Sequence, residues 1–190
     1  MSKAIDFLVN GFFLAYFFYF SGMNYVFTGP ESSGKTTLAN ELCNYLNNLN
    51  VNAFVVSEAA RDYLSNLGRE YYVADLLEIA KLQYESERKA KNLHKDWVCM
   101  DTDLITIKIW SEFKYGSCDQ WILDRLDSNK DALYVLCYPD IPWEEDVLRE
   151  NPNDREELFE LYLKTLQDLK LNFVITRGNL EQRIKKLTTI

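Results

Sequence analysis

The sequence predicts an α/β protein with a mainly parallel sheet of five strands and helices packed on both faces. Three observations lead to this prediction. Short apolar runs alternate with longer amphipathic segments, 47% of the residues are hydrophobic and 26% are charged, and 190 residues suit one domain better than two. Strands that alternate with helices favour parallel crossover connections. Such sheets bind ligands at the carboxyl ends of their strands, so the segments after each predicted strand are candidate site regions.

Five runs of strand length follow residue 22. Their β-branched and aromatic content is typical of buried strands. They cover residues 24–28, 52–57, 97–101, 132–138 and 171–176. Between and after them, apolar residues at helical spacing predict helices. These cover residues 35–50, 58–67, 73–92, 104–113, 155–170 and 180–187.

Residues 1–22 differ from the rest, because residues 7–20 are almost entirely apolar and aromatic. The run is shorter than the roughly 20 residues of a bilayer span, and its start lacks the basic cluster of a secretory signal. We therefore expect no stable membrane span. One interpretation is a misassigned start, with translation beginning at Met23 and a single domain over residues 23–190. The alternatives are a packed or interfacial helix and a true anchor.

Charge and cysteine content narrow the class of protein. The formal net charge of −8 disfavours nucleic acid as a partner, because nucleic acids are bound largely through Lys and Arg. The four cysteines lie far apart and there is a single histidine, His94, so we expect no structural zinc. Dispersed cysteines in apolar stretches are typical of reduced core thiols, and we expect a cytoplasmic protein.

The turn after the first predicted strand carries the Walker A spacing, G-x-x-x-x-G-K-[ST], at residues 29–36. Glycines in this motif let successive backbone N–H groups face one concavity, and the helix that follows adds partial positive charge. We predict that this loop binds the phosphates of ATP and that Lys35 reaches the β- and γ-phosphates. The predicted nucleotide-binding residues are Gly29, Pro30, Glu31, Ser32, Ser33, Gly34, Lys35, Thr36 and Thr37.

Two carboxylates, Asp101 and Asp103, end the third predicted strand. A carboxylate here is able to hold Mg²⁺ through water, opposite the hydroxyl of Thr36. We predict Thr36 and Asp101 as the magnesium site and Asp103 as a catalytic and substrate-binding residue. Asp is also favoured at helix N-caps, so one carboxylate capping the next helix is the alternative.

Glu58 and Arg61 follow the second predicted strand, and their spacing puts them on one helix face. We predict that Glu58 orients or deprotonates an acceptor hydroxyl and that Arg61 holds the substrate. Asp103 is the rival base. The alternative is an ordinary acidic helix start with a solvent-facing arginine.

Residues 139–156 combine prolines with two arginines set among acids. Prolines interrupt regular structure, so we predict a small lid that closes over the nucleotide. Arg149 and Arg155 are then catalytic candidates that neutralise charge on the transferring phosphoryl group. The alternative for each arginine is a weak surface ion pair.

Together these segments resemble the NadR-like ribosylnicotinamide kinases, a branch of the P-loop kinase group. The matching stretches are residues 29–38, 57–63, 101–103 with Trp110, and 139–149 with Arg155. The resemblance implies a P-loop kinase fold, a three-layer sandwich with a small lid, and ATP-dependent phosphorylation of nicotinamide riboside to the mononucleotide. It also implies a small-molecule acceptor, a pyridinium cation that Trp110 or Trp143 is placed to stack against. A core position is the alternative for Trp110.

The sequence departs from full-length relatives, since it offers neither a paired-histidine adenylyltransferase signature nor length for a helix-turn-helix. We therefore expect neither adenylyltransferase activity nor DNA binding by a helix-turn-helix. Two other functions stay open: a nucleotide-binding regulatory P-loop module, or a kinase of another nucleoside or of a nucleoside monophosphate. The missing Asn-Lys-x-Asp guanine motif disfavours a GTP switch.

Overall fold

Five strands form one sheet in the computed structural model, which describes residues 23–93, 97–146 and 149–189. The strands are β1 (Asn24–Thr28), β2 (Ala53–Val56), β3 (Trp97–Asp101), β4 (Leu133–Cys137) and β5 (Phe173–Thr176). Their order is β2-β3-β1-β4-β5, and every pair within the described part is parallel. The predicted α/β class with a five-stranded sheet is thus confirmed. The predictions for residues 1–22 lie outside the described residues, as do residues 147 and 148 of the predicted lid.

Helices connect the strands and flank the sheet. They are α1 (Lys35–Asn48), α2 (Ala59–Ser65), α3 (Val73–Leu93), α4 (Leu104–Tyr115), α5 (Gln120–Leu123), α6 (Arg155–Asp168) and α7 (Leu180–Leu187). Helix α5 was not predicted from the sequence, because four residues are too short to show a helical period. Asp119 starts it by accepting a hydrogen bond from Trp121 N. Among the described residues, no helix combines the length and apolar character needed to cross a bilayer.

The strands supply two apolar cores by alternation, since successive side chains point to opposite faces. On β1, Val26 belongs to the core that α3, α4 and α6 cover, whereas Tyr25 and Phe27 belong to the core under α1 and α7. On β3, Met100 belongs to the first of these cores and Cys99 to the second. The three-layer arrangement therefore follows from strands that are apolar on both faces.

The position of β1 at the centre of the sheet decides where the functional segments meet. Its neighbours are β3 and β4, and Phe27 lies in register with Asp101 at the end of β3. The loop after β1 therefore emerges beside Asp101 on one side and beside the segment after β4 on the other. All the predicted site segments lie at this carboxyl edge or in loops beyond it.

Candidate functional site

The loop between β1 and α1 has the backbone geometry of a phosphate-binding turn. Gly29 has a φ of 134° and Gly34 a φ of 82°, conformations that residues with a Cβ rarely adopt. A Cβ on Gly29 would lie only 2.6 Å from the Cys137 carbonyl oxygen of β4. Ser32 also has a positive φ, of 50°. The loop therefore packs tightly against the sheet, and glycine is required at its first position.

Positive charge converges on this loop from the lysine and from the helix. The Lys35 ammonium donates hydrogen bonds to the carbonyl oxygens of Gly29 at 2.9 Å and Pro30 at 2.7 Å. Helix α1 begins at Lys35 without a side-chain cap and without an acidic residue in its first turn. Its first N–H groups and the dipole therefore favour an anion at this end.

Asp101 and Thr36 face each other next to the loop. Asp101 is only 3% exposed, and the Thr36 side chain lies close enough to its carboxyl group to lower the pKa. Its Oδ1 is buried and receives no hydrogen bond from the described residues. An unsatisfied buried carboxylate oxygen is costly unless a cation or water meets it. The pair therefore fits a hard divalent cation such as Mg²⁺, for which carboxylate and hydroxyl oxygens are suitable ligands.

Burial raises the pKa of both carboxyl groups beside this end of the loop. For Asp101, burial raises the pKa, and the nearby Thr36 side chain and the positive charges of Lys35 and Arg61 oppose the rise. For Glu58, burial again raises the pKa, Lys35 opposes it, and the charge of Asp101 adds to it. A carboxyl group with a raised pKa is a better proton acceptor than an exposed one.

Glu58 lies at the N-cap position of α2, but its side chain does not cap the helix. It faces the cavity that begins at the phosphate loop. Arg61, one turn later, also lines the cavity and forms an ion pair with Asp146 of the lid segment at 2.9 Å. The structure thus brings the two predicted acceptor residues together, with Arg61 reaching towards the lid.

One continuous cavity joins the phosphate loop to an apolar chamber. Every residue from Gly29 to Thr37 lines its first part. The far part is bounded by helices α2, α4 and α6. Its walls are Ala60, Leu64, Ile109, Trp110, Phe113, Leu158 and Tyr162, with Thr106 as a polar member. A chamber with aromatic walls and few polar groups suits a small ring-bearing ligand.

Trp110 is held in the chamber wall by a hydrogen bond. Its indole Nε1 donates to the Tyr71 hydroxyl at 2.9 Å, and the two rings meet edge to face with centroids 5.1 Å apart. Trp143, the other tryptophan that the resemblance suggested, does not line the chamber. Its ring lies 5.8 Å from the Arg155 guanidinium carbon instead.

The lid segment contacts the phosphate loop directly. Arg149 donates to the Ser32 hydroxyl at 2.8 Å and to the Glu144 carbonyl at 2.6 Å. Arg155 donates to the Ser32 carbonyl at 3.3 Å and to the Ile141 carbonyl at 3.0 Å. Both guanidinium groups therefore lie beside the loop that we assign to the phosphates.

Like Asp101 and Arg155, the predicted site residue Asp103 does not line the cavity. It is 1% exposed and caps α4 by accepting a hydrogen bond from Ile105 N at 3.0 Å. Its other oxygen accepts from the Tyr134 hydroxyl at 2.7 Å. The helix-capping alternative is therefore observed for Asp103, whose two carboxylate oxygens accept from Ile105 N and from the Tyr134 hydroxyl.

Arg183 is a contributor that sequence reasoning missed. It is 3% exposed, and its guanidinium donates to the Ser33 carbonyl at 2.6 Å and to the Tyr138 carbonyl at 3.0 Å. It also pairs with Asp140. The sequence did contain an indication, because Arg183 lies four residues before the buried Leu187 on α7. This spacing puts the arginine on the core-facing side of the helix. Arg183 thereby ties the phosphate loop to the start of the lid.

The glycine-rich turn, the helix behind it and the opposing carboxylate define the chain as a P-loop nucleotide-binding protein of the α/β class. Residues 24–183 match the family model described as an AAA domain, and the chain belongs to this family.

Two curated relatives are similar to the chain, and both are described as the trifunctional NAD biosynthesis/regulator protein NadR. The protein from Escherichia coli (strain K12) is 29% identical over 160 residues, which cover 77% of this chain and 36% of that protein. The protein from Salmonella typhimurium (strain LT2) is 28% identical over 160 residues, with the same coverage. The chain therefore spans 36% of the length of the curated relatives it matches.

Two solved structures share the fold. A NadR protein in complex with NAD and AMP-PNP superposes with a TM-score of 0.65 at 21% identity, over 88% of this chain and 48% of that chain. A NadR protein in complex with NR gives a TM-score of 0.65 at 20% identity, over 88% and 49%. The resemblance to a NadR-like P-loop domain, noted from the sequence motifs, is thus confirmed.

Proposed function

We propose that the chain transfers the γ-phosphoryl group of ATP to the hydroxyl of a small nucleoside-like acceptor, with nicotinamide riboside as the specific candidate. One observation carries the proposal: a single cavity has a phosphate-binding loop at one end, an aromatic chamber at the other, and Glu58 facing it. Binding of the ATP analogue AMP-PNP and of NR by the NadR proteins of similar fold supports the same pair of ligands.

In this proposal the acceptor hydroxyl oxygen forms a bond to the γ-phosphorus while the bond from that phosphorus to the β–γ bridging oxygen breaks. Glu58 orients the hydroxyl and takes its proton. The backbone of residues 29–37 and Lys35 hold the phosphates, and Arg149 and Arg155 offset charge on the transferring group. Thr36 and Asp101 would hold Mg²⁺, which neutralises charge on the β- and γ-phosphate oxygens when bound.

The chamber favours an aromatic cation as the acceptor base. Trp110 and Tyr162 line the cavity, and a cation over an aromatic face is attracted by it. The negative charge of Glu58 in its ionised form adds to this preference, and Arg61 is placed to contact hydroxyls of the acceptor. The predicted cytoplasmic location and the absence of a nucleic-acid partner stay predictions.

An acceptor panel tests the proposal. The purified chain is incubated with Mg-ATP and with nicotinamide riboside, other nucleosides or nucleoside monophosphates, and ADP and phosphorylated product are measured. We expect acceptor-dependent ADP with nicotinamide riboside and a product carrying one added phosphoryl group. Turnover with a different acceptor alone would retain the kinase and refute the substrate. Nucleotide binding with no acceptor-dependent ADP would favour the regulatory module instead.

A further inference from the structure

Glu31 is an unexpected residue for a phosphate loop, because a carboxylate next to a polyphosphate is repelled by it. In the structure this carboxylate reaches across to the lid. Its Oε2 accepts hydrogen bonds from the backbone N–H of Glu150 at 2.9 Å and of Asn151 at 3.0 Å. Hydrogen bonds to an ionised acceptor are stronger than neutral ones. Glu31 therefore fixes two consecutive lid peptides relative to the loop.

The Glu150 side chain is held from the opposite direction. Its carboxylate accepts from the Lys114 ammonium of α4 at 2.8 Å and 2.9 Å and from the Tyr71 hydroxyl at 2.7 Å. The same Tyr71 oxygen accepts from Trp110 at 2.9 Å and from Lys114 at 2.6 Å. A hydroxyl has one proton and two lone pairs. The Tyr71 hydroxyl therefore makes all the hydrogen bonds it is able to make, and these bonds determine the direction of its O–H.

Arg149 directly precedes Glu150 in the chain. Glu150 is held by Glu31 through its peptide and by Lys114 and Tyr71 through its side chain. Its guanidinium donates to the Ser32 hydroxyl at 2.8 Å, and Ser32 directly follows Glu31 in the phosphate loop. Because the peptide of Glu150 is fixed by Glu31 and its side chain by α4, the Arg149 backbone has little freedom beside the loop. A displacement of about 1 Å in a charged group near a reacting centre is enough to cost about 100-fold in rate.

We propose that Glu31 and Glu150 are positioning residues that hold Arg149 in register with the transferring phosphoryl group. The inference rests on the proposed function. It assigns Glu31 a role towards the lid, which deepens the prediction that Glu31 belongs to the nucleotide-binding loop. Neither carboxylate touches the reacting atoms; both act through Arg149.

The test compares Glu31→Gln in two backgrounds, the natural chain and Arg149→Met. Glutamine keeps the size of the side chain and loses the charge. In the natural chain we expect kcat to fall about tenfold or more with the KM for ATP changed less than about twofold. In the Arg149→Met background we expect no further fall, because the group being positioned is gone. Glu41→Gln, on the exposed side of α1, is the matched control with unchanged kinetics.

Two outcomes would overturn the proposal. One is a fall in kcat of the same size in both backgrounds, and the other is an effect confined to the KM for ATP, since either would mean that Glu31 acts on the nucleotide directly. Glu150→Gln, which lies outside the phosphate loop and leaves the Tyr71 hydroxyl in place to hold Trp110, repeats the comparison if Glu31→Gln does not fold. It is expected to behave in the same way.

Amide hydrogen exchange separates this inference from the proposed function. Glu31→Ala, which removes both acceptor oxygens, is expected to speed exchange at the backbone N–H of Glu150 and Asn151 at least about tenfold, whether or not the acceptor is correct. Unchanged exchange at both amides would refute the contact. Failure of the acceptor panel with faster exchange would refute the proposed reaction and leave the lid contact standing.

Discussion

Removing the Glu87 carboxylate from the interior should abolish a defined part of the pH dependence of stability. Glu87, on α3, is 1% exposed and accepts hydrogen bonds from Gln83 Nε2 at 3.0 Å and Asn129 Nδ2 at 2.9 Å. Asn129 also lies 3.5 Å from Asp103. Burial, and after it the negative charge of Asp103, raises the pKa of Glu87 to about 7 from its ordinary value of 4.5. The perturbation is Glu87→Gln.

The magnitude follows from this displacement of the pKa. Between pH 4.5 and about 7 the Glu87 side chain binds more protons in the native protein than in the unfolded chain, so its contribution to the free energy of unfolding falls as pH rises through that window. The contribution of protonated Glu87 to the free energy of unfolding is complete below pH 4.5 and is lost once pH passes about 7. With about 1.4 kcal/mol for each tenfold change in proton concentration, the total loss is about 3 kcal/mol.

Urea unfolding, followed by circular dichroism from about pH 4 to about pH 8, measures this loss. We expect the free energy of unfolding of the natural chain to decline by about 3 kcal/mol relative to that of Glu87→Gln over the window. The introduced amide presents a donor to Gln83 or Asn129, so the variant has lower absolute stability, and the difference in slope is the readout. Parallel slopes for the two proteins would refute the buried, protonated Glu87.

Three further perturbations address the site. Glu58→Gln should lower kcat by about 100-fold or more, because it removes the proton acceptor. Asp103→Asn should retain kcat within about threefold. Equal losses of kcat for the two variants in steady-state assays would favour Asp103, the rival base, over Glu58 alone. Gly29→Ala should lower stability by about 2 kcal/mol more than Gly68→Ala in thermal unfolding. Both glycines have a positive φ, but only a Cβ at position 29 would meet a neighbouring carbonyl oxygen. Equal losses of stability would contradict the close packing of the loop. Asp101→Asn should raise the Mg²⁺ concentration for half-maximal turnover about tenfold and leave the affinity for metal-free ATP unchanged; an unshifted Mg²⁺ titration would exclude Asp101 from the metal site.

Local patterns predicted the elements well, because each strand and helix carries its own periodicity. Strands β1 and β3 and helix α7 begin and end at the predicted residues, and the Walker A turn lies between β1 and α1 as its spacing required. The choice between Asp101 and Asp103 was harder. The two carboxylates are separated by Thr102, whose φ of 72° reverses the local backbone direction, and a sequence pattern does not reveal such a turn.

Long-range contacts were not predictable from one sequence. Glu31 meets the backbone of residues that are 119 and 120 positions away, and Arg183 meets Ser33 across 150 positions. Both contacts depend on where β4 and α7 are placed relative to β1, which is a property of the sheet order. Sequence spacing identified the arginines of the lid as candidates, but only the fold shows that both donate to Ser32.

The central claim, that the turn after β1 holds the phosphates of a nucleotide, is tested most directly by calorimetric titration with Mg-AMP-PNP, an analogue that resists phosphoryl transfer. The account predicts saturable binding of one molecule per chain, weakened at least about tenfold by Lys35→Ala and unchanged by Lys164→Ala, whose side chain is an exposed lysine on α6. A folded sample that binds no nucleotide, or that binds it equally well with Lys35→Ala, would contradict the account.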